Sequence, residues 1–171
     1  RYIMAGNVGI LTLAARLAEQ GDKVRILNLD QLFLRFLGEE RHGAGRVAND
    51  GSPDPAPADC TPVGGVGGSN PEAFFQFVLE HLKLLSFDIF GFGSICSSYP
   101  MTIRLARETR VFHPGVPIIV GGPQASVVDV PTIRSFPWID YVVRGEADDT
   151  ILALLKHLAA GESVDTIPGV T

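Results

Sequence analysis

Cysteine is scarce in this chain: two among 171 residues, Cys60 and Cys96, far apart in sequence. That excludes a disulfide framework and a zinc site built on cysteine pairs. Clustered positive charge is lacking too. Lys and Arg total 14 against 19 Asp and Glu, for a net charge of −5, with no basic stripe to neutralise phosphates. A nucleic-acid-binding surface is therefore excluded. No window holds the ~18 uninterrupted apolar residues of a membrane helix. Charged residues make up only 19% against 46% apolar ones, which excludes intrinsic disorder. No Gly-x-Gly-x-x-Gly joins a strand to a helix, no lysine follows a glycine-rich loop in Walker spacing, and no Gly-x-Ser-x-Gly elbow surrounds a serine. What remains is a chain of one-domain size, long enough to bury roughly 70% of its unfolded surface without a metal or disulfide scaffold.

The chain begins at Arg1, which implies either removal of a leader or a piece of something longer. Residues 8–18 (VGILTLAARLA) have the apolarity of a signal-peptide core. However, Ile10, Leu13, Ala14 and Leu17 share one helical face and Arg16 interrupts the run, so an amphipathic helix over about 8–20, ended by Gly21, is the better reading. A cytoplasmic setting is the corresponding expectation. Residues 23–29 (KVRILNL) read as a short strand. Beyond a short apolar piece (LFLRFL), residues 38–69 form an aperiodic excursion rich in Gly, Pro and Ala. Its Gly64-Gly65-Val66-Gly67-Gly68 segment, ahead of a helix, is a flexible loop rather than an anion cradle.

Periodicity resumes at Ser69-Asn70-Pro71-Glu72, a capping-box spacing before a helix to about 85 carrying Phe74, Val78, Leu82 and Leu85. FDIFGFGS (87–94) is an almost wholly apolar run, as expected of a strand covered on both faces. A helix over 100–112, a strand PIIVGG (117–122), a loop, a strand IDYVVRG (139–145) and a last helix follow. In that last helix Asp148 or Asp149 serves as cap and Gly161 as terminator. Such alternation predicts an α/β fold with a doubly wound, mainly parallel sheet, as one domain over residues 1–171. A sheet of this type opens with a strand, and RYIM (1–4) is a poor one. Either the first strand lies upstream of Arg1 or the domain departs from its class there.

Sheets of this kind bind ligands outside the strand carboxyl ends. Three loops there are short of large side chains: Ser94-Ile95-Cys96-Ser97-Ser98-Tyr99 after Gly91-Phe92-Gly93, then Gly121-Gly122-Pro123-Gln124-Ala125-Ser126, then Arg144-Gly145-Glu146-Ala147. Glycine and serine permit close backbone approach and offer small polar groups. Each loop alone is equally an ordinary turn, and Asp148 and Asp149 are sufficiently explained as charges at a helix N-terminus.

Taken together, Gly91-Phe-Gly-Ser, Gly121-Gly-Pro-Gln, Ile139-Asp-Tyr-Val-Val-Arg-Gly-Glu and Ile167-Pro-Gly-Val resemble the cobalamin-binding domain of B12-dependent radical SAM enzymes. Residues 9–24 are similar to that family's first helix and the strand after it. The resemblance covers about 8–30 and 87–170. It implies a Rossmann-like B12-binding fold whose nucleotide-tail channel runs between the first two loops, kept open by small residues. On that basis the cofactor-binding residues are Ser94, Ile95, Cys96, Ser97, Ser98, Tyr99, Gly121, Gly122, Pro123, Gln124 and Ala125, with Gly145 and Glu146 on the far wall. The resemblance also implies that Gly122→Leu would block cobalamin while sparing the fold. No catalytic residue and no metal ligand is expected in this chain.

Two family features are missing. No Asp-x-His-x-x-Gly frame surrounds His42, His81, His113 or His157, so the cobalt-ligating histidine of other B12-binding proteins is absent. Nor is there a Cys-x3-Cys-x2-Cys run, and two distant cysteines cannot hold a [4Fe–4S] cluster. The resemblance therefore implies a module whose S-adenosylmethionine- and cluster-binding barrel lies downstream in the same parent chain. There it would support methyl transfer from S-adenosylmethionine through methylcobalamin. A cofactor-free interaction or regulatory module on the same fold is the alternative. A hydrolase using Ser94 or Cys96 lacks a histidine placed to activate either.

Overall fold

The computed structural model describes residues 8–44 and 70–171. In chain order the described elements are α1 (Val8–Glu19), α2 (Leu29–Ala44), α3 (Pro71–Lys83), β1 (Phe90–Gly93), α4 (Tyr99–Phe112), β2 (Ile118–Gly121), α5 (Pro123–Val127), α6 (Asp129–Ser135), β3 (Tyr141–Val143) and α7 (Asp148–Ala160). They fall into two compact units. Among the described residues, one comprises those up to Ile26 together with Leu82–Thr171, and the other those within Leu27–His81.

The larger unit is an α/β structure around a parallel sheet of order β1-β2-β3. Phe90 pairs with Ile118 and Gly93 with Gly121, while Ile119 pairs with Tyr141 and Gly121 with Val143. Side chains alternate across a strand, so this register puts Gly91, Gly93, Ile119, Gly121 and Val143 on one face. Phe90, Ile118, Val120 and Val142 lie on the other. On the first face Ile119 and Val143 form a core with Leu154 of α7 and Ile167, flanked by Ile151, Leu155 and Leu158. Helix α7 thus buries the stripe its spacing advertised, and Leu154, fully buried, contributes roughly 1.5–3 kcal/mol. The crossovers β1-α4-β2 and β2-α5-α6-β3 advance in one direction. Right-handed connection therefore puts α4 and α6 together on the second face. There Ile103, Leu105 and Ala106 of α4 are buried. Thr132 Oγ1 donates to Val128 O at 2.6 Å, so Tyr99 Oη is the donor in its 2.6 Å bond to Thr132 Oγ1.

The chain's last residues close the β3 edge. Val170 bridges Val143 in antiparallel fashion, Val142 and Thr171 exchange both backbone bonds at 2.9 and 3.0 Å, and Arg144 N donates to Gly169 O at 2.8 Å.

Four expectations need correction. Residues 23–29 form no strand. Propensity suits one, but no described segment offers a ladder to it, and Val24 and Ile26 are each 41% exposed. Residues 29–44 are helical rather than the start of an aperiodic stretch. Asn28 Oδ1 caps that helix by accepting from Asp30 N at 2.9 Å and Gln31 N at 3.3 Å. The segment after Gly122 is not a plain loop but two short helices, α5 and α6. In α7 the N-cap position belongs to Ala147 without a side-chain cap, and Asp148 and Asp149 occupy the first turn. The rest of the excursion, residues 45–69, lies outside the described residues, as does RYIM at 1–4.

In the smaller unit, α2 and most of α3 carry an aromatic cluster in which Phe33 and Phe74 meet edge-on at 5.0 Å and Phe36 and Phe77 lie 5.5 Å apart. Asn70 Oδ1, accepting from Glu72 N at 2.9 Å, caps α3 just ahead of Pro71.

Candidate functional site

All three glycine- and serine-rich segments converge at the carboxyl edge of the sheet. The first two touch directly. Ser94, only 2% exposed, donates from its backbone N at 2.9 Å and its Oγ at 3.2 Å to Gly121 O. Cys96 Sγ donates to Gln124 Oε1 at 2.9 Å. Ser98 folds back on its own loop, where its Oγ accepts from Ile95 N at 3.1 Å and donates to Ile95 O at 3.3 Å. That local turn fixes the entry to α4 and leaves Ile95, Cys96 and Ser97 exposed. Tyr99 spends its hydroxyl on Thr132, so its reach is inward. Pro123 opens α5, and Ala125 is fully buried beneath it.

The third segment is reached through a residue of the second. Ser126 Oγ donates to Gly122 O at 2.9 Å and accepts from Gly145 N at 3.0 Å. Gly145 has φ +68 with open space where a Cβ would stand, and Glu146 is exposed. Beside it Arg144 Nε lies 3.3 Å from Asp129 Oδ2, which also accepts from Thr171 Oγ1 at 2.7 Å. The Thr171 hydroxyl, backbone donors of the α6 turn and the Arg144 guanidinium hold the Asp129 carboxyl below its ordinary range.

The glycines divide into two kinds. Gly122 adopts φ 96 and ψ 174, and a Cβ there would stand 2.5 Å from Ser94 O and 3.0 Å from Ser94 N. Its missing side chain is demanded by the neighbouring loop. The expectation that Gly122→Leu would spare the fold is therefore overturned. Gly91, Gly93 and Gly121 differ. Among the described residues a Cβ on Gly91 would meet nothing within 4 Å, one on Gly121 only Val143 O at 3.5 Å, and one on Gly93 only Ile10 of α1, Cδ1 at 3.0 Å. Gly91 and Gly93 are exposed and share a face with Gly121. They make a strip of sheet without side chains, leading to the mouth formed by the loops and bordered by α1.

Sequence reasoning had the loops, Ser126 among them, but not this floor, the tie that Ser126 makes to Gly145, or the Asp129–Arg144–Thr171 cluster. The signal for the floor was the alternation Phe-Gly-Phe-Gly at 90–93, which puts both glycines on one face. The three described histidine side chains are occupied elsewhere. His81 Nδ1 bonds to Phe77 O at 2.8 Å, His113 Nε2 to Leu82 O at 3.2 Å and His157 Nδ1 to Ser163 O at 2.8 Å. A surface hollow of about 370 Å3 between α1 and α7 is lined by Gln20, Asp22, Leu152, Ala153, Leu155, Lys156 and Ala159. None of these belongs to the three loops. No described helix is long and apolar enough to cross a membrane.

A side-chain-free strip of parallel strand beside three tied loops suits an extended ligand that approaches the backbone closely. No family model matches the chain. Over 106 residues it is 26% identical to the methyltransferase PH0819 of Pyrococcus horikoshii, a match covering 62% of this chain and 23% of that protein. Its fold is similar to that of the radical S-adenosylmethionine methyltransferase TsrM from Kitasatospora setae, whose structure holds a tryptophan substrate and the SAM analogue aza-SAM. The TM-score is 0.63 at 16% identity, over 96% of this chain and 25% of TsrM. The first is named an uncharacterized methyltransferase, and the second is a radical S-adenosylmethionine methyltransferase that shares the fold. The chain spans about a quarter of the length of each.

Proposed function

We propose that this chain is the cobalamin-binding module of a radical SAM methyltransferase. The glycine strip of Gly91, Gly93 and Gly121, open at Gly91 and bordered at Gly93 by Ile10, carries this reading, because a nucleotide tail lying against the sheet needs strand backbone free of side chains. The ties of Ser94 to Gly121 and of Cys96 to Gln124 support it, since they hold the two loops at the mouth in a fixed relation before any ligand arrives. Preorganisation of this kind lowers the cost of binding. The likeness to segments of two methyltransferases supports the reaction class. Bound cobalamin would supply a carrier for the methyl group, and this chain's residues would bind and orient it. Ile95, Ser97, Gly145 and Glu146, all exposed at the edge, would border the macrocycle. S-adenosylmethionine and a [4Fe–4S] cluster would belong to a barrel in the same parent protein, in the cytoplasm. Neither would be held by this chain.

The test is direct. The pure chain is incubated with hydroxocobalamin, desalted and examined for corrin absorbance, in parallel with Gly91→Leu. Wild type is expected to retain corrin. The variant, whose side chain enters open space, is expected to lose it at an unchanged melting temperature. A wild-type chain that emerges colourless would overturn the cobalamin reading, and equal retention by Gly91→Leu would remove the strip from it.

A further inference from the structure

Ser126 performs two opposite hydrogen-bonding tasks with one oxygen. Its Oγ donates at 2.9 Å to Gly122 O, which also accepts Ser126 N at 3.0 Å, and accepts at 3.0 Å from Gly145 N. Only a hydroxyl close to the backbone can do this. An alanine offers neither role, a thiol is weak in both, and an amide side chain is too long to bridge so short a gap. The bond joins the end of the second loop to the start of the third, at a glycine with a left-handed φ of +68. The other side-chain tie between these segments, Arg144 with Asp129, has a guanidinium side chain 45% exposed. An exposed ion pair of that sort fixes position weakly. Beyond the strand ladder, which ends at Gly121 and Val143, the second and third loops are therefore tied mainly by one part-buried serine.

We propose that Ser126 is the positioning residue of the cobalamin mouth: its hydroxyl fixes how far Gly145 and Glu146 stand from Gly121 and Gly122, and so how long the corrin is held. This inference rests on the cobalamin reading above. Ser126 touches no ligand in this scheme. It acts through Gly145, and its effect falls on the release rate. Without the hydroxyl the Gly145 amide loses its acceptor and the third loop drifts from the second. A corrin seated between them would then be released more readily.

Ser126→Ala and Ser126→Thr separate this role from a general contribution to the fold. In the free chain, the hydrogen exchange of the Gly145 amide is expected to quicken about tenfold in Ser126→Ala and to return close to the wild-type rate in Ser126→Thr, which keeps the hydroxyl. Release of hydroxocobalamin is expected to follow the same pattern, about tenfold faster in Ser126→Ala and near wild type in Ser126→Thr. Melting temperatures should stay together, because alanine is a good helix residue at a position inside α5. A chain that holds hydroxocobalamin and releases it from Ser126→Ala at the wild-type rate would overturn the inference alone. So would faster release from alanine and threonine variants alike. Failure of the wild-type chain itself to hold hydroxocobalamin overturns the cobalamin reading and this inference with it. The Gly145 exchange rate then still reports whether the tie exists.

Discussion

Alanine at position 122 is expected to cost the fold more than any ligand it displaces. Gly122 sits at φ 96 and ψ 174, a region occupied almost only by glycine, where another residue bears ~1–3 kcal/mol of strain. The new Cβ would lie 2.5 Å from Ser94 O, which is backbone and cannot swing aside as a flexible side chain could. Separating the loops to relieve that contact stretches the 2.9 Å bond from Ser94 N to Gly121 O, worth about 1 kcal/mol. Against this stands a gain of about 0.4–1 kcal/mol from a less flexible unfolded chain. The net loss is roughly 2–3 kcal/mol. In a chain of this size that lowers the melting temperature by ~4–12 °C. Gly121→Ala is the control: its Cβ meets only Val143 O at 3.5 Å, an ordinary contact, and its φ is not left-handed. Thermal unfolding followed by far-ultraviolet circular dichroism should separate the two variants. A Gly122→Ala protein melting within about 2 °C of wild type would refute the reasoning, because it would mean that Ser94 and Gly122 do not meet as described.

Two further outcomes follow from the same structure. Thr109, fully buried in α4, has a hydroxyl oxygen without a hydrogen-bond partner among the described residues. Thr109→Val keeps the shape, removes a desolvated polar group and should stabilise by about 1 kcal/mol in urea unfolding; a loss of stability would mean that the hydroxyl is satisfied after all. Asp129 titrates below its ordinary value of 3.8, first because the Thr171 hydroxyl donates to it. A depressed carboxyl contributes stability that is complete above 3.8 and declines as pH falls through the lower folded value. The protection of the Thr171 amide, taken against its intrinsic exchange rate at each pH, should therefore fall on acidification below pH 3.8. In Asp129→Asn, which keeps an acceptor but no charge, this pH dependence should be largely lost. A Thr171 amide equally protected across that range would remove Asp129 from the tether.

The sheet was legible because its strands lie in apolar runs, with β2 and β3 buried on both faces and β1 anchored through Phe90 while its glycine face stays exposed. Phe90–Gly93, Ile118–Gly121 and Tyr141–Val143 lie inside the apolar runs that mark them. Helices α1, α3, α4 and α7 were legible from stripes such as Ile151, Leu154, Leu155 and Leu158. Residues 23–29 misled because a strand depends on its neighbour's ladder, which local propensity does not encode. Helices α5 and α6 were hidden by shortness, five and seven residues, too few for a periodicity to declare itself. The start of α2 was signalled by Asn28, a cap masked by the strand-like run before it.

The site divides along the same line. Its loops could be found because small residues after apolar strands are a local pattern. The ties between them could not, because Ser126 to Gly145 and Ser94 to Gly121 span long sequence separations. The two roles of glycine were likewise indistinguishable in sequence. Only the approach of Ser94 O to Gly122, against the open space at Gly91, tells a structural glycine from one that clears a path.

The most direct measurement is amide hydrogen exchange across the whole chain with and without hydroxocobalamin. Cobalamin lying on the glycine strip should slow exchange at residues 91–99, 121–126 and 144–147 together, with the outer face of α7 unaffected. Protection confined to other segments, or none at saturating hydroxocobalamin, would contradict the assignment of this sheet edge as a cobalamin site.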